Sequence, residues 1–213
     1  MGPTPGGNRV TLSENDLWLL SYYRYSEING ALFFGRVARF VRGPLLVNVT
    51  HHFADEAQHA HYWTKCIDEL EHLPLKQTRA YQDQYLEAVG VPANMMEIMA
   101  ITQVFEKRVI GQYRQHLRLP GIHPAIKNTI ETIMQDERWH IQYVREALTG
   151  MESVYGAEEI EQTLARHTSA DQEVYANTLA EFGERVAFLS ERAQHRHPNP
   201  GQDLTQPDGE REA

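Results

Sequence analysis

Four helix-like segments each carry a glutamate in the middle of an otherwise apolar face. Apolar residues recur at the i, i+3, i+4, i+7 spacing of a buried helix face, and the pattern is interrupted once per segment, by Glu27, Glu56, Glu106 and Glu137. A buried, unpaired carboxylate costs several kcal/mol or takes up a proton, and neighbouring carboxylates also repel each other. Arg24 flanks the first face, but one cation cannot offset four carboxylates. We therefore expect a fold in which the four side chains meet at metal ions.

Two of these glutamates are followed, three residues later, by a histidine. The motifs Glu56-x-x-His59 and Glu137-x-x-His140 place both side chains on one face, one turn apart. Glu27 precedes the first motif by 29 residues and Glu106 precedes the second by 31, so the chain repeats the pattern. In antiparallel packing the paired glutamates lie at similar heights, about 20 to 24 Å from the turn that joins their helices. This predicts one site of four carboxylates and two imidazoles, whose four negative charges cancel two divalent cations.

Helix signals fill most of the chain, whereas strand signals are weak. Ser13 and Asp16 form a capping-box sequence at the first helix, and Gly43-Pro44 ends that helix. The long helices are predicted at about 13–42, at 45–73, from just after Pro92 to about 119, at 124–150 and at 157–194. A short helix is expected in the link 74–92. Two short links and one long link predict an all-α four-helix bundle with one long crossover, plus an additional C-terminal helix.

Composition narrows the class of protein further. Residues 1–12 and 195–213 are predicted to be a flexible N-terminus and a disordered tail around a single domain at 13–194. A net charge of −9 argues against a nucleic-acid partner, and no apolar run approaches the length of a membrane span, so we expect no membrane partner. The single cysteine, Cys66, excludes a four-cysteine metal site. With no secretory signal in the sequence, it also leads us to expect a cytoplasmic protein.

The order Glu … Glu-x-x-His … Glu … Glu-x-x-His, over about residues 15–148, resembles the ferritin-like di-iron carboxylate superfamily. The resemblance implies a ferritin-like bundle whose iron ligands and catalytic residues are Glu27, Glu56, His59, Glu106, Glu137 and His140. The Asp-Glu-x-x-His form is similar to that of bacterial multicomponent hydroxylases and ribonucleotide reductase small subunits, in which the aspartate hydrogen-bonds a ligand histidine. This implies the same role for Asp55 and Asp136. Those families often carry arginine just before the histidine, where this chain has Gln58 and Trp139.

Three further features have more than one interpretation. His52, one turn before Glu56, resembles the extra histidine ligand of di-iron arylamine N-oxygenases. The fourth bundle helix has Ile133 at the equivalent place, so the sequence favours a polar or surface histidine outside the ligand set, with a ligand as the alternative. Gly30 leaves room either for oxygen or substrate or for close helix approach. A third Glu-x-x-His match at 69–72 lies on another side of its helix and is predicted to face solvent.

The predicted function is that of an O2-dependent di-iron oxidase or oxygenase acting on a small organic substrate, by hydroxylation, N-oxygenation, desaturation or a related oxidation. The cofactors would be two Fe ions, with Mn as a variant, and O2 would be the co-substrate. A reductase or ferredoxin would supply electrons to a monomer or homodimer. The alternative is a ferroxidase, iron-storage or peroxide-detoxifying protein that resembles bacterioferritins and rubrerythrins, whose sites also have two histidines. A metal-free bundle that acts as a binding module is the third interpretation.

Overall fold

The computed structural model describes residues 12–194, with side chains for residues 12–186. Within this range there is no strand, and the helices are α1 (Glu14–Ala38), α2 (Leu45–Glu69), α3 (Tyr81–Val89), α4 (Met95–Leu117), α5 (Pro124–Tyr155) and α6 (Ala157–Gln194). The predicted all-α class is therefore confirmed. None of the described helices combines the length and apolar content that a bilayer span requires. The tail predicted at 195–213 and all but the last residue of the flexible segment predicted at 1–12 lie outside the described residues.

Local signals in the sequence explain where several helices begin. The Oγ of Ser13 accepts a hydrogen bond from the backbone N–H of Asp16, and the Asp16 carboxylate accepts one from the backbone N–H of Ser13, so the predicted capping box is present at α1. Pro124 occupies the first position of α5, where a missing N–H costs nothing. The link after α2 contains α3, in the place where a short helix was predicted.

Three helix ends differ from the prediction. Helix α1 stops at Ala38 because residues 39–44 form the corner that returns the chain into α2, with Gly43 at a left-handed φ of 70°. Helix α2 stops at Glu69, and Glu71 adopts a φ of 61°. Helix α5 passes Gly150 and continues to Tyr155, because the left-handed residue that ends it is Gly156, at a φ of 84°.

The helices pack as two hairpins with a further helix against them. Helix α1 lies along α2, α4 lies along α5, and α2 contacts α5, which brings the hairpins together. Helix α6 packs mainly on α4 and also contacts α1, α3 and α5. The link between the hairpins crosses the length of the molecule, because α2 ends at one end and α4 begins at the other. There Met96 and Met99 of α4 pack with Val41 and Val49 beside the α1–α2 corner.

Two apolar clusters form the core. One lies at the corner end and includes Phe34, Val49 and Val144. The other extends toward the opposite end and includes Trp63 and Ile130. The four glutamates of the interrupted faces lie where these clusters meet, since Phe34 of the first stacks on His52, and Tyr113 of the second contacts Glu27. The fold therefore brings acidic side chains to the middle of its buried interior.

Candidate metal centre

The structure brings all six sequence-predicted ligands together, with His52 as a seventh residue. Each of the seven side chains belongs to a residue that is at most 6% exposed. They form two groups in which one ligand atom per residue lies within 4.8 Å of the others. The first group is Glu27, Glu56, His59 and Glu137, and the second is His52, Glu56, Glu106 and His140. Two cation positions side by side are the arrangement that these groups could serve.

Two of the glutamates lie between the groups. Glu56 belongs to both. Glu137 has Oε1 3.3 Å from Nδ1 of His59 and Oε2 3.0 Å from Nδ1 of His140, so its two oxygens face the two groups. Glu27 belongs only to the first group and Glu106 only to the second. Glu56 is therefore common to both groups, and Glu137 lies close to the histidines of both.

Each motif histidine turns one nitrogen toward the glutamates and the other toward an aspartate. Nε2 of His59 lies 3.2 Å from Oδ2 of Asp136, and Nε2 of His140 lies 3.1 Å from Oδ2 of Asp55. The two aspartates therefore hydrogen-bond histidines, and each does so across the hairpins rather than within its own motif. An ionised carboxylate only accepts, so the imidazole donates its Nε2–H to the aspartate, and its Nδ1 is the nitrogen that faces the glutamates. This is the orientation that fixes a metal-binding histidine.

His52 also turns one ring nitrogen toward the glutamates, but its other nitrogen faces a tyrosine, and it is not a surface residue. It is fully buried, its Nε2 lies 3.1 Å from Glu106 and 3.2 Å from Glu56, and its Nδ1 lies 2.7 Å from the hydroxyl of Tyr143. The surface interpretation of His52 is therefore wrong. Its position in the second group makes it a candidate ligand, although the sequence favoured a residue outside the ligand set.

Burial and mutual repulsion shift the acidity of the cluster. Burial, followed by the charges of the other three glutamates, raises the pKa of Glu56 well above its usual value. Burial and the charge of Glu137 raise the pKa of Glu106 to about 7. Burial alone would also raise the pKa of Glu137, but a hydrogen bond from His140 and the close approach of His59 lower it to about 2. The carboxylates are therefore too crowded for all of them to be ionised without added positive charge.

The histidines show where positive charge is favoured. Burial by itself lowers the pKa of His59, but the nearby negative charges of Glu137 and Glu27 raise it to about 12. The pKa of His140 is likewise raised well above its usual value, against burial, by hydrogen bonds to Asp55 and Glu137. Nδ1 of His59 is buried and has no hydrogen-bond partner within the described part of the chain. A divalent cation would take the place of these protons and would satisfy this nitrogen, so the residues present fit metal ions.

Two tyrosines that the sequence analysis did not single out contact the cluster. The hydroxyl of Tyr113 donates a hydrogen bond to Oε1 of Glu27 at 2.5 Å and accepts one from Nε1 of Trp63 at 3.1 Å. Tyr143 contacts His52, as described above. Their spacing carried a usable signal, because Tyr113 lies seven residues after Glu106 and Tyr143 three after His140, on the same helix faces. Both hydroxyls hold a candidate ligand in position.

Gly30 allows α1 to approach the Glu56 side chain. A Cβ atom built on Gly30 would lie 1.9 Å from Oε2 and 2.9 Å from Cδ of Glu56, far inside van der Waals contact. Close approach, one of the two roles considered for this glycine, is therefore observed, and Gly30 also lines the cavity described in the next paragraph. The absence of a side chain at position 30 is what leaves room for the carboxylate that both groups share.

A cavity of about 70 Å³ opens beside the glutamates, between α1, α3 and α4. All four glutamates contribute to its wall. The remaining wall is largely apolar and includes Phe33, Phe34, Ile101, Phe105 and Val109. The third Glu-x-x-His match lies outside both groups, with Glu69 exposed and His72 half-buried.

Comparisons with protein-family models, with curated proteins and with solved structures gave no match, so the inference of function depends on the chemistry of this site.

Proposed function

We propose that this protein is an O2-dependent di-iron oxidase or oxygenase of the ferritin-like kind, acting on a small organic substrate. The observation that carries the proposal is the pair of buried four-residue groups that share Glu56. His52, His59 and His140 support the proposal further, because each has a ring nitrogen facing the glutamate oxygens. A buried cluster of four carboxylates and three imidazoles is costly to maintain unless cations occupy it.

The donor set favours hard, redox-active metals. Carboxylate oxygens with imidazole nitrogens suit iron and manganese, whereas the described residues offer no thiolate near the groups. Two iron ions held there would supply the electrons and the open coordination positions that reduce O2. Manganese at one or both positions is compatible with the same donors. Glu27 and His59 would hold the ion of the first group, and Glu106, His140 and His52 that of the second, while Glu56 and Glu137 lie near both.

The chain itself would position these ligands and keep the site dry. Asp55 and Asp136 hold the histidines through their outer nitrogens, and Tyr143 does the same for His52. The hydroxyl of Tyr113 holds its proton against Oε1 of Glu27, so it can act as a proton donor to that carboxylate. Because all seven candidate ligands are buried, bulk water would have little access to ions held by them. Exclusion of water protects a reactive oxidant from side reactions.

The cavity beside the glutamates supports oxidation of an organic molecule. Its apolar wall suits an uncharged substrate, because burying a charged group there would be costly. Its volume of about 70 Å³ is about half of the 150 Å³ that holds benzene in a buried cavity, so only a few heavy atoms fit without movement. A larger substrate would require displacement of a wall residue, and half-buried Phe33 is placed for this.

Metal binding and reaction with O2 test the proposal. Purified protein is titrated with Fe(II) without oxygen, the bound iron per chain is counted, and O2 consumption is then followed with excess Fe(II). We expect about two ions per chain, a single round of O2 consumption and a monomer or homodimer in solution. Continued oxidation of added iron by a large hollow assembly would instead favour iron storage.

Substitutions inside the two groups can be compared with substitutions in the Glu-x-x-His match that lies outside them. His140→Ala and Glu106→Ala should lose the metal pair while far-UV circular dichroism remains helical. Glu69→Ala with His72→Ala changes the same residue types outside the groups and should bind two ions as the unmodified chain does. Unchanged iron content in both His140→Ala and Glu106→Ala would refute the ligand assignment.

A further inference from the structure

The corner between α1 and α2 combines exposed apolar side chains with arginines. Phe40 is 76% exposed, Val47 75% and Leu46 42%. Arg36, Arg39 and Arg42 belong to the same stretch of chain and are also exposed. We define the corner face as the six residues Arg36, Arg39, Phe40, Arg42, Leu46 and Val47. Large apolar residues exposed this close together in the chain indicate a surface that is covered by a partner.

The charge of this region is opposite to that of the whole chain. From Ile28 to Ala54 there is no aspartate or glutamate, and the three arginines give the segment a charge of +3. The chain carries −9, so all other residues together carry −12 (−9 minus +3). None of the three arginines forms an ion pair with a carboxylate of the described residues, and the Arg42 guanidinium donates instead to the backbone carbonyls of Arg39 and Val41. The positive charge is therefore available to an anionic partner.

We propose that the corner face binds the surface of an anionic lipid bilayer, with Phe40, Leu46 and Val47 inserted among the headgroups and the arginines paired with lipid phosphates. Exposed apolar side chains together with unpaired arginines match the interfacial layer of a bilayer, which offers both acyl chains and phosphates. Long arginine side chains keep their charge at headgroup level while their stems lie along apolar surface. The expectation of no membrane partner concerned spanning helices, and this proposal concerns attachment to one leaflet.

Acidic residues limit the contact to the corner. Glu152, Glu158 and Glu159 lie at the α5–α6 junction, and neighbouring Ile160 packs in the same apolar cluster as Val41. Anionic headgroups would repel these carboxylates. We therefore place only the α1–α2 hairpin tip at the lipid surface, with the rest of the molecule standing away from it. This attachment is independent of the metal centre and needs no activity.

Sedimentation with lipid vesicles tests the proposal on the full-length protein. Vesicles of phosphatidylcholine with about one-third phosphatidylserine should bind the protein at low salt, and vesicles of phosphatidylcholine alone should not. Replacing Arg36, Arg39 and Arg42 by Gln should weaken binding about 100-fold, since each arginine near an anionic surface contributes about fivefold. Phe40→Ser with Val47→Ser should weaken it at least tenfold, because burial of both apolar side chains is lost.

Two control variants separate a local face from a general effect. Replacing Arg114, Arg118 and Arg138 by Gln changes the net charge by the same amount elsewhere, and should leave vesicle binding within about twofold of the unmodified protein. Leu73→Ser removes an apolar residue that is 81% exposed near the end of α2, away from the corner, and should have no effect. Absence of binding to anionic vesicles, or equal losses for corner and control variants, would overturn the proposal. Thermal unfolding of each variant verifies that it is folded.

Discussion

Replacing Gly30 by alanine should separate metal binding from folding. The added Cβ would lie 1.9 Å from Oε2 of Glu56, so the carboxylate must retreat by about 1.5 Å to reach ordinary contact. Metal–ligand distances tolerate only about 0.2 Å. Because Glu56 belongs to both groups, the substitution should weaken both cation positions. The helix itself should gain about 0.5 to 1 kcal/mol, since alanine is the better helix former.

The magnitude can be worked out from binding linkage. At a free metal concentration of about 1,000 times Kd, each of the two cation positions adds about 4 kcal/mol to the stability of the unmodified protein, or about 8 kcal/mol together. A 100-fold loss of affinity at both positions in Gly30→Ala would leave about 1.4 kcal/mol from each, or about 3 kcal/mol together. In a chain of this length, 1 kcal/mol corresponds to about 2 to 4 °C in Tm. Mn(II) should therefore raise the Tm of the unmodified protein by about 16 to 32 °C and that of Gly30→Ala by only about 6 to 12 °C.

Thermal unfolding with and without Mn(II), followed by circular dichroism, measures both effects. Gly111→Ala is the matched control, because Gly111 is also helical and a Cβ there would meet nothing within 4 Å. It should gain the same helix stability and keep the full response to metal. If Gly30→Ala and Gly111→Ala respond to Mn(II) alike, Glu56 is not a shared ligand and the description of the site is wrong.

Three further substitutions test the surroundings of the site and the core. Asp55→Asn should weaken metal affinity about 10- to 100-fold in a chelator competition, because it loosens the imidazole that Asp55 holds, whereas exposed Asp68→Asn should not. Burial lowers the pKa of His116 to about 4, below the 6.5 of an unfolded histidine, so this residue stabilises the fold above about pH 6.5 and its contribution is lost as the pH falls toward 4. His116→Phe should therefore remove about 3 kcal/mol of acid destabilisation between pH 7 and 4, measured by urea unfolding, and an unchanged pH dependence would contradict this. Asp171→Ala should cost about 3 to 5 kcal/mol because it leaves Arg108 without its partner at 3.0 Å, and Arg108→Met in the same chain should recover most of that loss in urea unfolding.

The periodic pattern of the sequence was sufficient to find the helices and the convergence of the six residues. An apolar face interrupted by one glutamate fixes which way that glutamate points, and equal heights in two hairpins then bring the four together. Helix ends were harder to predict from the sequence. Helix α5 ends at Gly156 because that residue adopts a left-handed φ, whereas Gly150, which was predicted to end it, lies inside the helix.

The hydrogen-bond partners of the site residues could not be predicted from the sequence pattern of single helices. Asp55 was expected to hold a histidine, but its own helix does not show that this histidine is His140, which lies 85 residues further along the chain. His52 was placed outside the ligand set because the second half of the repeat has no equivalent histidine. Its contact with Tyr143, 91 residues away, depends on how the two hairpins meet. The spacing of apolar residues shows which face of one helix is buried, but these contacts depend on how different helices pack against each other.

Both four-residue groups draw side chains from both hairpins. Glu27 and His59 of the first hairpin share a group with Glu137 of the second, and Glu56 of the first shares one with His140 of the second. A cation held by either group would therefore join the two hairpins where α2 meets α5. A chelator that removed it would withdraw that link and leave the contacts within each hairpin unchanged.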